Sequence, residues 1–169
     1  MATIEEAAAT TARLRAAVEA GDVDRLMQAF APDVVLHSPL TDSLTFDGAD
    51  AVRGLMPHVL AVVRDIRYTD DVGDEQTRAL FYTARIAGVE VEEATRVRLT
   101  DDAKIVDITL WFRPLPGLTA LMAALGPRLA ETPGRRSAVK AMTAPLAAMT
   151  RHGDRVAVKF VTPPRQRRA

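Results

Sequence analysis

The sequence predicts an α+β domain, with helices gathered at the N-terminus, a long antiparallel meander after them and a helical extension at the C-terminus. Three observations carry this. Over residues 4–63 apolar side chains recur at three- and four-residue steps, the spacing of one helix face. From Arg67 the pattern changes to runs of strand length parted by the turn residues Gly73-Asp74-Glu75, Gly88 and Asp101-Asp102. Connections this short make neighbouring strands antiparallel, since a parallel pairing needs a crossover of about a dozen residues or more.

Thr3-Ile4-Glu5-Glu6 has the form of a capping box, and Ile4, Ala7, Ala8, Thr11, Leu14 and Val18 form the face of the helix behind it. Gly21 closes that helix and Asp22 caps a short second one carrying Val23, Leu26, Met27 and Phe30, ended by Pro32. Val34–Ser38 reads as a strand stopped by Pro39. Gly48 and Asp50 open a third helix, with Pro57 expected to bend it or shift its start. The meander strands are Arg67–Val72, Thr77–Ala87, Val89–Thr100 and Lys104–Arg113. Beyond them come a helix over Leu118–Ala130, a second over Ser137–Arg151 interrupted by Pro145, an alternating strand over Arg155–Val161 and a disordered basic tail from Pro163.

One domain is the default for 169 residues, and a 48% hydrophobic composition supplies its core. Twenty-two basic residues balance 22 acidic ones, which removes the main argument for nucleic-acid or anionic-membrane partners. The absence of cysteine excludes disulfides, thiolate metal sites and cysteine nucleophiles. His37, His58 and His152 lack ligand spacing, so neither a metal nor another cofactor is expected. No run approaches the length of a membrane span and the N-terminus lacks the form of a signal peptide, so a cytoplasmic location is the expectation.

Ala20-Gly21-Asp22-Val23-Asp24, Phe30-Ala31-Pro32-Asp33-Val34, Ser38-Pro39, Phe46-Asp47-Gly48 and Lys104-Ile105-Val106…Trp111-Phe112 follow one another at set intervals over residues 3–113. This ordered set resembles the nuclear transport factor 2-like superfamily, and within it the SnoaL-like proteins, a group that includes polyketide cyclases. The resemblance implies a curved antiparallel sheet wrapped around the N-terminal helices as a cone with an apolar cavity. It divides the chain into a SnoaL-like domain over 1–134 and an extension over 135–169. It also implies a homodimer joined through the outer sheet faces.

Fold does not give function, so each catalytic position is read by itself. Steroid isomerases of this fold use an aspartate base, a tyrosine on the first helix and a protonated acid on the penultimate strand. The corresponding residues here are Ser38, Leu14 and Thr95, so none of the three is retained. Small epoxide hydrolases of the fold need an Asp–Arg–Asp set, but alternation from an inward Thr95 sends Glu92, Arg96 and Arg98 outward, towards ion pairs with the neighbouring strand.

The same alternation turns Glu93 inward, where an apolar cavity would raise its pKa and suit it to acid or base work; a register slip of one residue would place Glu92 there instead. Cyclases of the SnoaL kind use a late-strand aspartate assisted by a histidine. Asp107 matches in type, yet Ile108, Leu110 and Phe112 take the inward face and leave Asp107, Thr109 and Trp111 on the outer one. Strict alternation likewise puts Ser38 inside and His37 outside, unless a bulge at Pro39 reverses them. His37 is then either a catalytic group or a half-buried structural one bonded to a main-chain group.

The remaining candidate ligand-binding residues are Leu14, Val18, Met27, Phe30, Leu36, Leu55, Met56, Val59, Tyr82, Thr95, Ile108, Leu110 and Phe112, with Tyr82 as the neutral hydrogen-bonding handle. Leu121, Met122, Met142 and Met149 either cover the mouth, extend a dimer interface or pack internally. Two functions stay open: a binder of a small hydrophobic molecule, including a cyclase- or isomerase-like enzyme, and a non-catalytic interaction module with a filled core.

Overall fold

A computed structural model describes residues 2–161. Helix α1 spans Ile4–Ala20 and starts on the expected capping box, in which Thr3 caps the Glu6 amide while the Glu6 carboxylate returns to the Thr3 amide. Gly21, at φ 69°, ends it in the left-handed region. Asp22 then caps α2 (Val23–Met27) through the Arg25 amide. This second helix is a single turn, and Phe30 and Pro32 belong to the strand that follows, β1 (Phe30–His37). Pro32 was expected to end a helix; its fixed φ suits an extended segment equally well. A short strand that the sequence pattern missed, β2 (Thr45–Asp47), pairs with β1.

Helix α3 (Ala49–Val62) runs through an exposed Pro57. Val63, expected on its apolar face, instead opens β3 (Val63–Gly73), because β-branched residues at a helix end serve either element and the sheet claims this one. Strands β4 (Thr77–Ile86), β5 (Val89–Leu99) and β6 (Ile105–Arg113) complete an antiparallel run, and the full order is β2-β1-β6-β5-β4-β3. Strand β1 joins this sheet parallel to β6.

The β4–β5 turn fixes the register that matters most. Ala87 (φ 49°) and Gly88 (φ 79°) both lie in the left-handed region, as a two-residue hairpin of matching twist requires. Ile86 therefore pairs with Val89, and four pairs along Tyr82 faces Glu93.

Helix α4 (Leu115–Leu129) packs on the concave side of the sheet, against β4, β5 and β6. Helix α5 (Pro133–Val161) covers α4 and is unbroken. It passes through Pro145, where an interruption was expected, and through 155–161, where alternation suggested a strand. The open sheet ends at β2 and β3, and 155–161 joins neither edge but continues the helix. His152, expected in a loop, is an exposed helical residue, and the tail from Pro163 lies outside the described residues. Among the described residues no helix is long and apolar enough to cross a membrane.

Candidate functional site

The concave sheet face, α1, α3 and α4 enclose a cavity of about 350 Å³. Strand alternation builds its polar wall. Tyr68 on β3 pairs with Tyr82 on β4, Tyr82 with Glu93 on β5 and Glu93 with Phe112 on β6, so one row crosses four strands. Thr95 stands one inward position along β5. The side-chain polar groups on the described wall are those of Ser38, Tyr68, Tyr82, Glu93 and Thr95, and the remainder is hydrocarbon apart from the Met56 thioether.

Glu93 is only 2% exposed. The Tyr82 hydroxyl donates to one of its carboxyl oxygens and the Thr95 hydroxyl to the other. Burial raises the Glu93 pKa to about 7; the two hydroxyl donors favour the charged form and oppose that rise. Burial, reinforced by the neighbouring carboxylate, pushes the Tyr82 phenol up, so it stays a protonated donor. Tyr68 meets Tyr82 edge to face, with centroids 5.2 Å apart, and its phenol is raised by the same causes. A carboxyl group that titrates near neutrality beside two neutral donors can take or give a proton within an apolar enclosure.

Most of the expected residues meet on this wall: Leu14, Val18, Phe30, Leu36, Ser38, Leu55, Met56, Val59, Tyr82, Glu93, Thr95, Ile108, Leu110 and Phe112. Met27 does not. It packs in the core, and its neighbour Leu26 takes the wall position, a phase difference that a one-turn helix is too short to reveal. The sequence reading missed Tyr68, Ile66, Leu125 and Leu129. The alternation of Ile66 with Tyr68 is the signal that would have found the first two.

His37 and Asp107 lie on the opposite, convex face. His37 Nε2 stands 2.8 Å from Asp107 Oδ2, so its partner is a carboxylate and not the expected main-chain group. Arg96 reaches Asp107 at 3.5 Å, bonds the Thr109 hydroxyl at 2.9 Å and lies over the exposed Trp111 ring. Glu92 pairs with Arg113 outside, as alternation requires. His58 is half-buried and off the wall, Leu121 is on it, and Met142 and Met149 are exposed on α5. No group of side chains suited to hold a metal occurs among the described residues.

The family model described as a SnoaL-like domain matches residues 11–108. A crystal structure of a steroid delta-isomerase from Pseudomonas aeruginosa is 32% identical, covering 73% of this chain and 91% of that one, at a TM-score of 0.68. An NTF2-like protein of unknown function from Cytophaga hutchinsonii is 12% identical, covering 65% and 92%, at 0.53. The epoxide hydrolase/cyclase-like enzyme SalBIII, of pyran ring formation in the polyether salinomycin, is 17% identical, covering 64% and 92%, at 0.56. At these lower identities the last two show the fold alone. No curated protein matches the chain.

Proposed function

The chain belongs to the SnoaL-like family, and from that premise we propose that it binds a small, neutral, hydrophobic molecule carrying one carbonyl or hydroxyl group in its cavity, with Glu93 exchanging a proton with it. One observation carries the reading: an isolated carboxyl group is buried on an otherwise apolar wall, raised to a pKa of about 7 and flanked by the neutral donors Tyr82 and Thr95. A purely structural core has no need of such a group, since an apolar side chain of similar size would cost less to bury. A cavity of about 350 Å³ also falls in the size range of small-molecule sites and weighs against a filled core. Likeness to an isomerase supports chemistry next to a carbonyl. With Ser38, Leu14 and Thr95 at the isomerase positions, that chemistry falls to Glu93 and not to the isomerase set. The same reading pairs two copies through the convex face around Trp111, which is 52% exposed.

Polycyclic ketones are the probes. Binding should raise the melting temperature and displace an apolar dye. Glu93→Gln should keep binding within a few-fold while abolishing exchange of ketone α-protons into deuterated water. Neither a thermal shift nor dye displacement across the ketone set would overturn the binding reading. Exchange that survives in Glu93→Gln would overturn the role of Glu93.

A further inference from the structure

The balanced charge of the whole chain conceals a separation. Residues 1–132 carry 13 basic and 21 acidic side chains, a net of −8, whereas residues 133–169 carry nine basic and one acidic, a net of +8. Helix α5 begins at this boundary. Its first part is fastened to α4: Thr143 and Ala147 are buried, and the Thr150 hydroxyl lies 2.6 Å from that of Thr119. From 152 to 157 every residue is exposed, so the helix continues as an arm.

The arm is also amphipathic. Met142, Met149, Val156 and Phe160 follow at steps of seven, seven and four, which places them within about 40° of one another around the helix. They do not face α4, and Met142, Met149 and Phe160 are 76%, 65% and 83% exposed. Lys159, Arg155 and Arg151 follow around the helix from this stripe, and Asp154 is the single acid.

We propose that α5 forms a peripheral docking arm for an anionic lipid surface, with the Met142–Phe160 stripe entering the interface and the surrounding Arg and Lys side chains meeting the headgroups. A cationic helix with an aromatic and Met-bearing stripe has the composition of helices that lie in such interfaces. A nucleic acid would match the charge but leave the apolar stripe without a partner. The surplus of acid in residues 1–132 is repelled by the same lipid surface, so the contact falls to the arm alone and the cavity-bearing domain stands off from it. This inference is independent of what the cavity holds.

The test is co-sedimentation of the full chain with vesicles of equimolar phosphatidylglycerol and phosphatidylcholine, against vesicles of phosphatidylcholine alone. Binding to the anionic vesicles is expected, at least tenfold weaker on the neutral ones and weaker again in high salt. Replacing Arg151, Arg155 and Lys159 by Gln should weaken it by about fivefold per charge removed. Met149→Ser with Phe160→Ser should weaken it by about tenfold or more. Arg151 is half-buried and the others are exposed, and an unchanged melting temperature will show that the domain is intact. No binding, equal binding to both vesicles, or binding indifferent to both sets of variants overturns the proposal. Self-association that these variants abolish, without vesicle binding, overturns it in favour of the arm docking on the acidic body of a second copy.

Discussion

The two faces of the sheet carry the same residue types to opposite ends. On the concave face Glu93 is held by the Tyr82 and Thr95 hydroxyls on a mostly hydrocarbon wall, and burial moves its pKa to about 7. On the convex face Asp107, from the neighbouring strand, sits 26% exposed between His37 and Arg96, where water and counter-charges are available. Both are carboxylates beside a hydrogen-bonding partner. The difference is whether the partners are neutral hydroxyls in an apolar enclosure or an imidazole and a guanidinium at the surface, and in the first arrangement burial lifts the carboxyl pKa towards neutrality.

The contrast between buried and surface carboxylates can be broken in several ways. The largest effect is expected at Asp71, whose side chain, 9% exposed, accepts from Arg78 Nε at 2.8 Å and from the Thr11 hydroxyl at 2.7 Å. Asp71→Ala leaves Arg78 buried without its partner and should cost about 3–5 kcal/mol in chemical denaturation. Next comes the pH profile of Glu93. Its folded pKa lies above its unfolded value, so the folded state binds the extra proton. Stability is then full below the ordinary carboxylate range and falls as pH rises to about 7, by roughly 3 kcal/mol in total. Glu93→Gln should flatten that slope in urea titrations at a series of pH values, whereas Asp107→Asn should leave it unchanged. Tyr82→Phe removes one donor to the Glu93 carboxylate; it should move the midpoint of that slope upward and cost about 1 kcal/mol at high pH. The smallest effect belongs to Asp107→Ala, whose exposed pairs should be worth less than about 1 kcal/mol and should fade in salt.

How much of this was legible in the sequence depended on period and length. Strands β4 and β5 alternate cleanly over ten and eleven residues, so alternation pointed Glu93 inward and Glu92 and Arg96 outward, with only a slip of one residue left open. Helix α2, at five residues, has too few turns to reveal its phase, and Met27 was placed where Leu26 belongs. Strand β2, at three residues, carries no period at all. Tyr68 escaped because β3 is irregular where it begins: its register shifts between Arg64 and Arg67, and Asp65 takes a φ of 56°, which hides the alternation until Ile66. In 155–161 alternating valines imitated a strand in what is a helix, because period alone cannot say whether a partner edge exists. The separation of charge between 1–132 and 133–169 was present in the sequence as well, and was masked by summing over the whole chain.

The parallel pairing of β1 with β6 sets an order of events in time. His37 and Asp107 are 70 residues apart, and every hydrogen bond between their strands closes a loop of that order. Until β6 has been made, β1 has only the three-residue β2 beside it in the sheet, although Phe30 and Leu36 already have α1 and α3 residues such as Leu14 and Leu55 to pack against. Such distant pairings are slow to form and leave apolar strands uncovered while they wait. Because Ile108, Leu110 and Phe112 of β6 also line the wall, the cavity is complete only after that distant pairing has closed.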